Sequence, residues 1–328
     1  MTMNNTIRVG ALALTVLMGG FAADATARQP AGVAAARGVS AWSLPRRIEP
    51  IVTTEWLFDN LEDPELVVLD IRPAEAYEED HIISAINEPF DPFDSAWAVV
   101  REGSILELPD EDELFAAIGE LGISANSLVV VVSAPNPGEP VAYGWANATR
   151  VADTLLYAGL RHVAILDGGY VKWLEEGLPT TDAVPVVEPT DYSGWTRRNM
   201  FVSKEYVESR IGRAILIDTR DADVYFGATI EPFADKPGHI ATGRSLPTPW
   251  LWATNGTFRE HQTLAAMAEG VAGVHRRREI IVYCGVGGYT SSWWFVLSQV
   301  LGYKNVKFYD GSAQDWVTTN DMVPYRWE

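Results

Sequence analysis

Ile280-Ile281-Val282-Tyr283-Cys284-Gly285-Val286-Gly287-Gly288-Tyr289-Thr290-Ser291-Ser292-Trp293 is the stretch whose reading decides the fold. Its first four residues form an unbroken β-type apolar run, the pattern of a strand covered on both faces. Three glycines within the next four positions after Cys284 make a loop. A Thr/Ser/Ser cluster able to cap a helix follows, and then the apolar stretch from Trp293 to Leu301. Strand, glycine-rich turn and helix in this order put the turn beyond the carboxyl end of a strand, where open α/β sheets build their sites. The N–H groups of such a loop and the positive end of the next helix cradle negative charge. Cys284, the only cysteine in 328 residues, heads that loop, and the cradle favours its thiolate. The competing reading of a lone cysteine is a small buried hydrophobe. Glycines so closely spaced suit a loop bent around a ligand, which makes Cys284 the candidate nucleophile.

The same pattern occurs twice along the chain. Leu66 to Leu69 is followed by Asp70-Ile71-Arg72 and Tyr77, and Ile215 to Ile217 by Asp218-Thr219-Arg220 and Tyr225. His81-Ile82 and His239-Ile240 come next, the second after an insertion rich in Pro, Gly and acidic residues. Leu128 to Val132 then matches Ile280 to Tyr283, and Val163 to Gly168 matches Val306 to Gly311, with Trp173 and Trp316 six residues past each aspartate. Strands alternating with helical segments predict an α/β fold of two tandem domains, each a parallel sheet flanked by helices. The expected boundaries are 48–182 and 198–328, joined by an extended proline-bearing linker over 183–197, with a flexible Ala/Gly-rich lead-in at 28–47. Where the second repeat has Cys284, the first has Ser133 followed by prolines at 135, 137 and 140. Those prolines remove three N–H donors, so the first domain is expected to be catalytically silent.

The amino terminus reads as a signal peptide over residues 1–27: Arg8, an uncharged apolar run from Val9 to Ala23, and small residues in Ala25-Thr26-Ala27. The expected location is exported, most simply periplasmic, with no membrane span after cleavage; a retained anchor is the alternative. The formal charge of −19 excludes nucleic acid and anionic membranes as general partners. One cysteine and five histidines without paired spacing argue against a metal site, and no cofactor is expected.

With the duplicated Asp-x-Arg pattern, Gly238-His239-Ile240, the cysteine loop and the Asp-Gly…Trp endings, residues 48–328 resemble tandem-domain rhodanese-type sulfurtransferases. The resemblance implies an inactive first domain and an active second one. It also implies a Cys284 that takes a sulfane sulfur from a small donor of the thiosulfate or 3-mercaptopyruvate type. The resulting persulfide passes the sulfur to a thiophilic acceptor, such as a thiol or cyanide-like molecule, or to a protein in the same compartment. The substrate loop would be Gly285, Val286, Gly287, Gly288, Tyr289 and Thr290. The loop departs from the family pattern in placing Tyr289 where a threonine is usual, with Thr290 one position later. It also has Gly285 and Val286 instead of basic residues after the cysteine, and Val224 where an arginine commonly binds the donor's anionic group. Arg244, on a connection that can approach the loop in this fold, is a candidate replacement. Arg220 reads as a partner of Asp218. Tyr289 either offers its hydroxyl to substrate or packs, and Trp250 and Trp252 either wall the pocket or pack between domains. A phosphatase of the same fold would need a loop-closing arginine, and Thr290 stands there instead. The stronger rival is a persulfide carrier without rapid turnover.

Overall fold

A computed structural model of the chain describes residues 46–325. The expected signal peptide, and the lead-in up to residue 45, lie outside the described residues. In the first half, β1 (Ile51–Val52), β2 (Leu66–Asp70), β3 (Ile86–Asn87), β4 (Leu128–Val132) and β5 (Val163–Leu166) form a five-stranded sheet in the order β1-β5-β4-β2-β3. In the second, β6 (Phe201–Val202), β7 (Ile215–Asp218), β8 (Arg244–Ser245), β9 (Ile280–Tyr283) and β10 (Val306–Tyr309) repeat it as β6-β10-β9-β7-β8. Every pairing in both sheets is parallel. The two-domain α/β architecture read from the repeats is therefore the architecture of the molecule.

Alternation along the strands decides which core each residue joins. Val129 and Val131 face a core that crosses the seam between the domains, together with Ile217, Val282 and Phe308. Val130 and Val132 face the outer core of the first sheet, and Leu216, Ile281 and Tyr283 that of the second. The seam is closed by two helices, Val141–Tyr157 from the first domain (the roof helix) and Gly288–Phe295 from the second (the cysteine helix). Small residues let them approach, and Thr149 Oγ1 lies 2.7 Å from Ser291 Oγ and 2.8 Å from Ser292 Oγ.

The duplicated motifs are structural clamps. Arg72 is bidentate to Asp70 and donates to Asp80 O at 2.9 Å. Arg220 is bidentate to Asp218 and donates to Gly238 O at 2.7 Å, as the sequence suggested. Tyr77 stacks on His81 and Tyr225 on His239, with ring centroids 3.8 and 4.0 Å apart. Among the described residues, no helix is long and apolar enough to cross a membrane.

Candidate functional site around Cys284

Sheet register puts the two loops in equivalent places. Asp70 pairs with Val132 and Asp218 with Tyr283, so Ser133 and Cys284 each take the next position beyond the strand. In the second domain the helix starts at once: Gly287 is its N-cap and Gly288 its first residue. Gly287 N–H donates to Cys284 Sγ at 3.1 Å, bringing the positive end of the helix to the sulfur. Gly287 sits at φ +96°, open to glycine and strained for other residues, and a Cβ there would come within 3.1 Å of Asp310 O.

Three further contacts fix the loop. Cys284 N–H donates to Ser312 Oγ at 3.2 Å, Ala313 N–H to Cys284 O at 2.9 Å, and Gln314 N–H to Gly285 O at 2.9 Å. Ser312 takes φ +50°, a left-handed conformation held where the first domain has Gly169 at φ +59°. Its hydroxyl donates to Tyr309 O at 2.9 Å and lies 3.4 Å from Thr290 Oγ1, so a strained backbone position keeps a hydroxyl beneath the cysteine.

The first domain roofs the loop. Arg150, from the roof helix, pairs with Asp310 at 2.5 Å and donates to Leu106 O. The hairpin strand Ser104–Glu107 crosses over as well, with Ile105 N–H donating to Gln314 Oε1 at 3.1 Å and Gln314 Nε2 donating back to Ile105 O at 2.9 Å. Burial and the nearby charge of Asp310 push the Glu107 carboxyl up to about 7, against the opposing pull of Arg150. Tyr143 of the roof helix meets Tyr289 of the loop edge to face, centroids 5.2 Å apart. Burial raises both tyrosine hydroxyls above the ordinary range, and the charges of Asp221 and Cys284 act on each in the same direction. They remain neutral donors at physiological pH.

The insertion before His239 supplies the remaining wall. Glu231 Oε2 lies where a Cβ on Gly285 would be only 2.5 Å away, so a larger residue after the cysteine would have to displace the Glu231 carboxylate. Its other oxygen accepts from Arg220 Nη1 at 2.8 Å. Burial raises the Glu231 carboxyl, while Arg220 works against the shift. Cys284 itself is 2% exposed, which makes its access depend on movement of these covering groups.

The loop residues named from sequence thus surround the sulfur differently. Gly285 and Gly287 are buried against Glu231 and Asp310, Val286, Gly288 and Tyr289 are half-buried, and Thr290 is fully buried beside Ser312. Arg244 requires a correction. It is exposed on β8, two strands from β9, and its guanidinium donates to Val271 O at 2.5 Å near the end of the helix His261–Ala272. It serves as a cation at a helix carboxyl end and does not reach into the cysteine loop. Trp252 is buried against Trp145 across the seam, centroids 5.5 Å apart, and Trp250 is exposed. Tyr143, Arg150, Glu231 and Ser312 were not singled out from sequence. Only the acidic insertion around Glu231 carried a local signal.

The equivalent place in the first domain is nearly filled. Ile71, Arg72, Pro73, Ser133, Ala134 and Gly144 line a cavity of about 10 Å³, room for roughly one water.

Two five-stranded parallel α/β domains, with a single thiol in a glycine loop at the strand end of the second, define the class: a tandem α/β protein with one candidate sulfur nucleophile. The rhodanese-like domain family model matches residues 53–176 and 203–319, and the chain belongs to that family. It is similar to the sulfur carrier protein TtuD of Thermus thermophilus, 30% identical over 82% of this chain and 93% of that protein. A "Putative thiosulfate sulfurtransferase" of Mycobacterium leprae is likewise 30% identical, over 84% of this chain and 96% of its own. Among solved structures, the anaerobic ergothioneine biosynthesis enzyme of Chlorobium limicola, in complex with its natural substrate trimethyl histidine, superposes with a TM-score of 0.69. It is 22% identical, over 84% of this chain and 71% of that one. YnjE superposes at 0.70 with 23% identity, over 85% and 69% of the two chains. These two structures bear on the fold alone.

Proposed function

We propose that the protein is a sulfurtransferase that moves a sulfane sulfur from a small donor to a thiophilic acceptor through a persulfide on Cys284. The observation that carries this reading is the Gly287 N–H aimed at Cys284 Sγ from the start of a helix. With a thiosulfate-type donor, the Cys284 thiolate attacks the outer sulfur. The bond to the sulfite sulfur breaks, and its electron pair leaves with sulfite. The enzyme is left as Cys–S–S⁻, whose terminal sulfur the loop amide and helix end can stabilise. An acceptor thiolate then attacks that terminal sulfur and regenerates the Cys284 thiolate, with no net oxidation in the cycle. The first domain, which has no thiol, acts as a roof and takes no chemical part.

The same geometry admits a slower role. Cys284 is 2% exposed, and a relative 30% identical is named as a sulfur carrier, which favours a persulfide held for a partner as the second reading. Turnover separates the two. With donor and thiol acceptor both in excess, a transferase forms many equivalents of acceptor persulfide per chain and Cys284→Ser forms none. A carrier stops at one equivalent. The composition of residues 1–27 supports export, and protein recovered from its native cell should then begin at Arg28 on amino-terminal sequencing.

A further inference from the structure

The cations that touch the cysteine loop are already matched. Arg220 serves both Asp218 and Glu231, and Arg150 serves Asp310. Asp221 adds a further carboxylate, whose charge acts on the hydroxyls of both Tyr143 and Tyr289. Glu231 Oε2, pressed against Gly285, accepts no hydrogen bond among the described residues, although its partner oxygen does. At Val224, where the family resemblance places an anion-binding arginine, the chain offers no positive charge. A dianion approaching Cys284 therefore meets like charge, from Glu231 half-buried beside the loop, where screening by water is reduced, and from Asp221 at the surface. The two tyrosine rings, edge to face at 5.2 Å, add electron-rich faces of the kind that attract cations.

We propose that the small molecule that exchanges sulfur with Cys284 carries an ammonium group near its reacting sulfur, recognised by Glu231, Asp221, Tyr143 and Tyr289. The inference rests on Cys284 being the reacting thiol, as proposed above, and it names the substrate's charge. With an ammonium-bearing persulfide R–S–S⁻ as donor, the Cys284 thiolate attacks the outer sulfur. The bond between the two donor sulfurs breaks and its electron pair leaves with R–S⁻, so the step is redox-neutral. Glu231 and Asp221 hold the ammonium group of R throughout.

Charged methanethiosulfonates test this without any sulfur-transfer assay. The full chain has one thiol, so its reaction with the 2-(trimethylammonio)ethyl and the 2-sulfonatoethyl reagents can be followed by intact mass. The ratio of the two rates is divided by the same ratio for a small free thiol, which removes the reagents' intrinsic difference. The expected corrected ratio favours the cation by about tenfold or more at low salt. It should fall toward one in Glu231→Gln and in Asp221→Asn. The exposed Asp221 provides a variant whose folding is not at risk, and thermal melting checks both. A corrected ratio at or below one, a ratio unchanged in both variants, or no reaction with either reagent would overturn the proposal. Should every sulfane donor fail to load Cys284 while the ratio holds, the transfer reading falls and the charge preference stands.

Discussion

Ser133 and Cys284 occupy the same place in two copies of one fold, and their loops have diverged in opposite directions. After Cys284 the chain needs three residues to reach the first residue of its helix, and the N-cap amide points at the sulfur. After Ser133 it takes seven residues, three of them proline, before the helix begins at Val141. The space in front of Ser133 holds about one water. The first domain supplies structure to the second, since the helix that follows its proline-rich loop brings Tyr143, Thr149 and Arg150 onto it. A site at a seam can thus take its loop from one half and part of its walls from the other.

The comparison is broken most completely at the sulfur. Cys284→Ser should lower sulfur transfer by about a thousandfold or more, with the melting temperature close to wild type, because the change is nearly isosteric. Moving the thiol provides the sharper form of the same test. Ser133→Cys in the Cys284→Ser background should restore no sulfur loading by intact mass, since three prolines strip N–H donors from that loop and no helix N-cap amide follows within three residues, as Gly287 does after Cys284. Loading at residue 133 would mean that the glycine loop and its N-cap amide are not what matters.

The glycines give a matched pair of smaller effects. Gly287→Ala strains a φ of +96° and crowds Asp310, so loading should slow by roughly ten- to a hundredfold as the amide moves off the sulfur. Gly138→Ala strains a φ of +88° in the first domain with nothing within 4 Å of the new methyl. Its stability should fall by about 1 kcal/mol with loading unchanged. Loading kinetics and thermal melts on the two variants check this contrast.

The smallest effect concerns the hairpin that crosses to the second domain. Glu107 titrates near 7 in the folded protein, above the 4.5 of an ordinary glutamate. The unfolded chain therefore ionises first, and stability falls as pH rises from about 4.5 to 7, after which the loss is constant. Glu107→Gln should remove that dependence, leaving the variant more stable than wild type at pH 8 by on the order of 1 kcal/mol and no more stable at pH 4. Melting curves across this range decide it.

Much of the fold was legible because its signals are local or repeated. The Leu128–Val132 and Ile280–Tyr283 runs mark central strands by composition alone, and the Asp-x-Arg, Tyr, His and Trp positions recur in the same order in both halves. The cysteine loop could be read because its glycines, sulfur and helix cap lie within ten residues. The walls of the site could not, because they arrive by long-range packing. Tyr143 and Arg150 come from the other domain, Glu231 from an insertion without periodic pattern, and Ser312 from a left-handed backbone position that sequence shows as an ordinary serine. Arg244 misled for the same reason. Its neighbours in sequence lead toward the strand ends, while its side chain turns to the nearest helix carbonyls.

The most direct measurement is the intact mass of the protein after exposure to a panel of sulfane donors, anionic, neutral and ammonium-bearing, with Cys284→Ser alongside. A gain of about 32 Da, one sulfur atom, is expected on the wild type with at least one donor, discharged by a thiol and absent from the variant. No gain with any donor, or a gain that persists in Cys284→Ser, would contradict it.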